Sequence, residues 1–469
     1  PSPRRRVYRD FPGHQKKTVF VELESLLCNK DMAALNAGAP QAPTDHQATA
    51  AMRRVILDHD GGADDIVALA LLCAAPFADL PESYPSVAAA AVTEGGASSP
   101  AAAADTQRLS ELRGRCHAVA LIGVVVTDAD CYAAPAREAS EKVLKLFEPL
   151  RRSVSARQGS AAPAVPPVRV ASFKGTAEPF PDEWRKDCIA IGDLPCLNTF
   201  DDAAAAPGGD DDGFDEGMTG EELMARLVLD APAPVTIVVT GPLSSVAWCI
   251  RTHGRAWCDK VDEVVVMGGA VDVKGNVIAT NLPKKVPTAA DAGGGVPSVD
   301  ESAEWNIYWD APAAKAVLTC PFLDGKLVLF TLDATNHVPV SQPFVRSFGK
   351  IHRKRGREEA AAASALFPRH PSSLAQLFGS AWAQVTFLAL QFGETRGYFA
   401  WDVLTAAYVL EPRVCTFYQC TLDVNATRGS PSEGRTFRVD DKSGPLCRVA
   451  KDVDNGAFYD LVRLVAAVV

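Results

Sequence analysis

Short apolar runs, polar breaks and longer helical stretches alternate along this chain. "RRVIL" leads into the polar segment Asp58–Asp65 and then into "IVALALLCAA". "VALIGVVV" leads into "TDADCY" and a helical pattern near 136–148. "VTIVVT" (235–240) leads into "GPLSSVAWCI", and "EVVVM" (263–267) into "GGAVDVKGN". "KLVLFTLD" (326–333) predicts a further strand, and "GYFAWDVLTAAYVL" runs from strand or loop into helix. Unbroken β-branched runs followed by helical patterns require a sheet buried on both faces. The expected fold class is therefore α/β, with a mostly parallel central sheet and helices on both faces. In such folds ligands collect outside the carboxyl ends of the strands, where the polar breaks fall.

Composition changes this picture in the connections. The 469 residues are 47% hydrophobic, enough for a large core. Between the strand–helix units lie "ASSPAAAADTQ" (97–107), "SARQGSAAPAVPP" (155–167), "AAAAPGGDDDG" (203–213) and "AADAGGGVPS" (289–298). Segments so poor in large apolar side chains read as flexible surface loops. The expected organisation is one domain over 52–469 with low-complexity insertions near 80–113, 152–168, 202–215, 282–300 and 354–372. Residues 1–51 read as a disordered N-terminal extension; Arg4, Arg5 and Arg6 lack the apolar run of a secretory signal. Organelle targeting by this arm is the alternative to a cytoplasmic location.

Charge and cysteine narrow the partners. The formal net charge is −10, from 57 acidic and 47 basic residues, with no basic stripe interleaved with aromatics. A nucleic-acid polymer is thereby disfavoured. The 12 cysteines are scattered without a CxxC pair, which reads as reduced thiols in an intracellular protein. No apolar stretch reaches the ~18 residues of a membrane span.

The strongest chemical signal is "DHDGGADD" (58–65). Asp58 and Asp60 flank His59 just past a strand, and Asp64 and Asp65 open the next helix. Helix capping accounts for one or two aspartates at such a place, not four. A hard cation such as Ca²⁺ takes roughly six to eight oxygen ligands, whereas no His/Cys set with zinc spacing is present. The acidic "GDDDGFDEGMTGEE" (209–222) is no EF-hand: with Gly213 as the central glycine, Gly208 and Thr219 occupy the first and last positions.

"DHDGGADD" resembles the N-terminal signature of the nucleoside hydrolases, which cleave the N-glycosidic bond of ribonucleosides with a bound calcium. "VTDADC" (126–131), "PFPDEWR" (179–185), "TGPLSSVAWCI" (240–250), "MGGAVDVKGNV" (267–277), "AEWNIYWD" (303–310) and "YFAWDVLTAAYV" (398–409) follow in order. Together they resemble the purine-specific branch, the inosine–adenosine–guanosine-preferring enzymes. Roughly 300 residues between Met52 and Val469 take part. The resemblance implies a Rossmann-related single domain, a Ca²⁺ cofactor, purine ribonucleoside substrates, a role in purine salvage and a homodimer. The loops exceed what the family needs, and residues 1–51 have no counterpart.

By the same resemblance Asp60 and Asp65 bind calcium, completed by the Thr240 carbonyl and Asp402, each placed just beyond a different strand end. A water activated by the cation is the nucleophile, and Asp60 accepts its proton. Asp64 holds the ribose 2′-hydroxyl; Asn276, Glu304 and Asn306 hold the other hydroxyls, and Met267 lines the sugar pocket. Trp184 and Trp401 sandwich the purine, Asp130 meets the base edge and Phe180 flanks the stack. Some nucleoside hydrolases place a histidine beside the last calcium-ligating aspartate; here that neighbour is Trp401. A protonated purine between two indoles is stabilised by about 0.5–2 kcal/mol per contact, which eases protonation at N7. Asp58 supports the cluster from behind, while Trp248 and Trp309 read as core. Taken alone, Thr240 reads as a turn and Asp402 as a cap.

Other readings stay open at this level. A broader nucleoside hydrolase also cleaving uridine, and a catalytically silent nucleoside-binding protein, fit the same residues. A haloacid-dehalogenase-like phosphatase shares the strand-terminal DxD but has no use for Trp184 or Trp401.

Overall fold

The computed structural model describes residues 52–74, 100–148, 151–152, 164–198 except 178, 214–282 except 216, 299–361, 374–391, 397–439 and 444–467. Nine strands form one sheet: β1 (Arg53–His59), β2 (Val119–Val126), β3 (Val168–Val170), β4 (Val235–Val239), β5 (Val261–Met267), β6 (Leu327–Phe330), β7 (Cys415–Val424), β8 (Thr436–Val439) and β9 (Leu446–Val453). The first half of the chain contributes helices α1 (Ala63–Ala74), α2 (Pro100–Arg115), α3 (Ala133–Leu146), α4 (Asp182–Gly192), α5 (Gly220–Leu229), α6 (Ser244–His253) and α7 (Arg255–Cys258). The second half adds α8 (Trp305–Trp309), α9 (Ala311–Leu318), α10 (Leu332–Thr335), α11 (Gln342–Ala361), α12 (Leu374–Gln391), α13 (Trp401–Leu410) and α14 (Asn455–Ala466).

The strand order is β3-β2-β1-β4-β5-β6-β9-β7-β8. Pairing is parallel from β3 through to β9, and antiparallel between β9 and β7 and between β7 and β8. The expected α/β class with a mostly parallel sheet is what the chain forms. Alternation along each strand splits the core into two layers. Val55 and Leu57 of β1 face α1, α12, α13 and α14, whereas Ile56 faces the layer of α5, α6, α7 and α9. Chain progression runs outward from β1 through β2 to β3, then returns to β4 on the other side of β1. That reversal makes the β1/β4 boundary the topological switch point, where adjacent connections diverge and leave a crevice.

Two expectations are corrected. Residues 100–115, read within a loop-like insertion, form α2. Alanine is the best helix former, and Leu109 and Leu112, three apart, are buried against the core. The insertion expected near 354–372 likewise begins as helix, since α11 runs to Ala361. The N-terminal extension 1–51 and the larger parts of the other insertions lie outside the described residues. No helix is long and apolar enough to cross a membrane among the described residues, and the described cysteines are all free thiols.

Candidate active site

The turn from β1 into α1 places the acidic signature. Gly61 has φ +84°, a conformation that glycine adopts without Cβ strain. A Cβ there would stand 2.4 Å from Ala136 Cβ and 2.9 Å from Cys131 Cβ. His59 Nδ1 accepts from Gly61 N–H at 3.1 Å, and its Nε2 lies 3.0 Å from Ser140 Oγ. Burial holds the His59 imidazole down to about 3, so it stays neutral. Gly61→Ala should therefore cost at least about 2 kcal/mol, from backbone strain and overpacking together. Urea unfolding measures this; wild-type stability in the variant would remove the turn as a constraint.

Past that turn Asp60, Asp64 and Asp65 are all buried. Gly62 N–H donates to Asp65 Oδ2 at 2.8 Å, and Tyr398 hydroxyl donates to Asp64 Oδ1 at 2.6 Å. The Asp402 N–H donates to Asp64 Oδ2 at 3.3 Å. Asp58 lies behind, fully buried, accepting from Thr127 Oγ1 at 3.3 Å. Thr240 follows β4 directly, as expected. Asp402 does not follow a strand: it sits in the first turn of α13, carried in by a helix that packs on α1.

Electrostatically the cluster is under tension. Burial, reinforced by neighbouring carboxylates, pushes Asp60 and Asp402 well above the usual carboxylate range. Burial also raises Asp64, lifts Asp65 to about 6 and, with Asp65 and Asp64 beside it, lifts Asp130 to about 7. Asp60 is repelled by Asp65, and Asp402 by Asp64, so these buried carboxyls hold their protons more tightly than exposed ones do. Among the described residues no Lys, Arg or His forms an ion pair with any of these aspartates, and no three acidic, His or Cys side chains enclose an ion-sized position. The donor chemistry nonetheless fits a hard cation: every donor is oxygen, and Asp65 Oδ1 is buried without a partner.

A cleft of about 790 Å³ opens above this cluster. Its walls include Asp60, Asp64, Asp130, Phe180, Trp184, Thr240, Met267, Asn276, Glu304, Asn306, Trp401 and Asp402. The expected site residues thus share one cleft, save Asp65, which stands buried behind its floor. Trp184 and Trp401 belong to different aromatic groups. Trp184 packs edge-on to Trp305 at 5.7 Å beside Phe180, whose ring lies 4.8 Å from Trp305. Trp401 packs against Tyr398 at 4.8 Å, and its Nε1 donates to Asn336 Oδ1 at 3.2 Å. Trp309 is buried in the cluster with Phe180 and Trp305, while Trp248 is half-buried against the separate layer that holds Ile56.

The residues expected to hold the sugar hydroxyls carry structural duties. Glu304 caps α8, accepting from Asn306 N–H at 3.0 Å and Ile307 N–H at 3.2 Å, and also accepts from Gly269 N–H at 3.0 Å. Most of its acceptor capacity is therefore committed to backbone. Asn306 Nδ2 donates to the Thr240 carbonyl at 3.0 Å and to the Met267 carbonyl at 3.3 Å, leaving Thr240 O a second lone pair. Asn276 Oδ1 accepts from Trp305 N–H at 3.1 Å.

Sequence reasoning missed Tyr398, Trp305, Cys188 and Asn336, which also line the cleft or hold its walls. Trp305 lay between two chosen residues and was accessible from the motif. Tyr398 and Asn336 act through partners distant in sequence, which no local pattern reveals.

The chain and its fold have counterparts among known proteins. The family model described as inosine-uridine preferring nucleoside hydrolase matches residues 105–460. A pyrimidine-specific ribonucleoside hydrolase RihA of Photobacterium profundum is 27% identical over 247 residues, covering 51% of this chain and 64% of the relative. Its counterpart in Salmonella newport is 26% identical over 249 residues, covering 52% and 65%. The chain thus spans just under two thirds of the length of these curated relatives. Among solved structures, the inosine-uridine preferring nucleoside hydrolase from Bacillus anthracis superposes with TM-score 0.59 at 24% identity, covering 89% of this chain and 100% of that one. A purine-preferring ribonucleoside hydrolase from Gardnerella vaginalis gives TM-score 0.52 at 16% identity, over 89% and 100%. With most of its length matched by one family model and its acidic cluster at the switch point of the sheet, the chain belongs to the inosine-uridine preferring nucleoside hydrolase family.

Proposed function

We propose that this protein hydrolyses the N-glycosidic bond of purine ribonucleosides, releasing free base and ribose, with Ca²⁺ as cofactor. The observation that carries the reading is one cleft with buried, unneutralised aspartates on its floor and separate tryptophans on its walls. Asp60, Asp65, Asp402 and the Thr240 carbonyl would hold the cation. When bound, a hard divalent cation lowers the pKa of water and polarises the hydroxyls it touches. Asp60 accepts the proton of the attacking water; its burial makes the ionised carboxylate a stronger base than one in solvent. Asp64, oriented by Tyr398, grips the ribose 2′-hydroxyl. Asn276, Glu304 and Asn306 take the other hydroxyls through the valences their backbone contacts leave free. Attack at the anomeric carbon builds oxocarbenium character, as in O-glycoside cleavage.

The purine leaves most easily once protonated. Trp184 and Trp401 present π faces to that flat cation, Asp130 meets its edge and Phe180 backs the Trp184 wall. The reading gives the two tryptophans the work that an acid would otherwise do. Trp184→Ala should then lower inosine turnover by at least about tenfold while sparing a ribosyl substrate whose leaving group needs no proton. Equal losses on both would mean that the indole only binds.

The pyrimidine-specific names of the curated relatives favour a second reading, cleavage of uridine. Base release from inosine and uridine by the full chain, with and without chelator, separates the two. Chelator-sensitive inosine cleavage with little on uridine supports the purine reading. Comparable uridine cleavage keeps the hydrolase and removes the purine mechanism; no cleavage by the folded protein points to a silent binder. Purine salvage, a cytoplasmic location and a homodimer complete the proposal by family analogy.

A further inference from the structure

We propose that Arg185 is a positioning residue for base recognition, its guanidinium docking the helix that carries Trp184 onto the loop that carries Asp130. The proposal rests on the reading of Trp184 and Asp130 as base contacts.

Helix α4 lacks a conventional anchor where it matters. Its buried residues are Ile191 and Gly192, both at its C-terminal end. The first two turns, with Trp184, have no apolar stripe sunk in the core. Apart from Trp184 against Trp305 and the half-buried Cys188 and Ile189 against the core, polar and aromatic contacts to residues 128–132 hold them. Arg185, with a side chain only 14% exposed, pairs with Asp128 and stacks over Tyr132, Cζ lying 4.0 Å from the ring centroid. Its Nη2 also reaches the Cys131 carbonyl at 3.5 Å, and the Cys131 thiol donates to the Arg185 carbonyl at 3.9 Å.

Neighbouring turns repeat the pattern. Tyr132 hydroxyl donates to Asp182 in the first turn, and Cys188 thiol donates to Asp130 Oδ2 at 3.6 Å one turn beyond Arg185. Residues 182, 185 and 188 recur every three positions and so share one helix face. Trp184 projects off that stripe toward Trp305 and the cleft. Arg185 stands at the middle of the stripe and makes both its charge pair and its cation–π contact. A guanidinium can satisfy a carboxylate and a ring face at once; an ammonium offers no flat face.

If Arg185 sets the docked fraction of α4, its loss should weaken apparent substrate affinity in proportion to that fraction, while saturating substrate restores docking. Arg185→Met should raise KM for inosine about tenfold and leave kcat within about twofold. Arg185→Lys keeps the charge opposite Asp128 but loses the stack, and should fall between. In a Trp184→Ala background, Arg185→Met should add less than about twofold to KM, because the group it positions is gone. The measurement is steady-state inosine cleavage by all four full-length variants and wild type, with melting curves. A fall in kcat at unchanged KM would mean Arg185 only supports the fold, overturning the proposal. So would an equal KM effect with and without Trp184. If Trp184→Ala itself leaves inosine kinetics unchanged, the base reading falls and the proposal with it. If Trp184→Ala is impaired but Arg185→Met behaves as wild type, only the positioning role falls.

Discussion

Asp60→Ala should, on the proposed mechanism, lower kcat for base release from inosine by at least about 10³-fold, because that mechanism makes Asp60 both the general base and a cation ligand. The geometry makes this loss specific. Asp60 follows β1 at the switch point, is 3% exposed and opens onto the cleft. Its backbone carbonyl accepts from Cys131 N–H at 2.9 Å, a bond that alanine retains. Its side chain makes no described ion pair, and its removal relieves repulsion with Asp65 and Asp130. Melting temperature should therefore change by only a few degrees while activity disappears. Steady-state kinetics with thermal unfolding reads both, and retention of more than a few per cent activity would remove Asp60 as the base.

The second large effect is chelation, and its pH dependence has a definite sign. Complete removal of divalent cations should abolish turnover and destabilise the fold most at high pH. In the chelated protein Asp65 titrates at about 6 and Asp130 at about 7, above the ordinary carboxylate value of 3.8, and burial raises Asp60 and Asp402 as well. Between pH ~4 and ~7 the folded chain then binds more protons than the unfolded chain. The stability these carboxyls contribute is fully present below pH ~4 and is lost as pH rises through about 6 and 7. His59 acts in the opposite sense: with a folded value of about 3 against 6.5, it removes stability as pH falls from about 6.5 towards 3. The carboxylates outnumber it. Melting temperature with chelator should rise by at least about 5 °C from pH 8 to pH 6, and added Ca²⁺ should flatten that slope. A chelated protein whose melting temperature is flat across pH 6–8 would contradict the repulsion argument.

Local pattern made much of this protein legible. Short apolar runs rich in Val, Ile and Leu marked β1, β2, β4, β5 and β6, because a strand buried on both faces favours such residues. The aspartates of the β1–α1 turn were visible because a helix start rarely needs four carboxylates. Motif order brought out Asp130, Trp184, Thr240, Asn276 and Asp402, and the fold gathers them around one cleft. The Ala-rich stretch at 100–107 misled, because composition alone hides the two leucines that pin α2 to the core.

What the sequence by itself determined was residue chemistry and element type, since both are written in spacings of two to four positions. Only the tertiary structure decided which elements meet. It delivers Asp402 on a helix rather than at a strand end, and sets Tyr398 against Asp64 across 334 positions of chain. It commits Glu304 to capping α8, closes the sheet with an antiparallel β9-β7-β8 edge, and docks α4 through Arg185. Periodicity states which face a residue takes but not what lies opposite, and strand order, which settles that, emerges only when the whole core is packed.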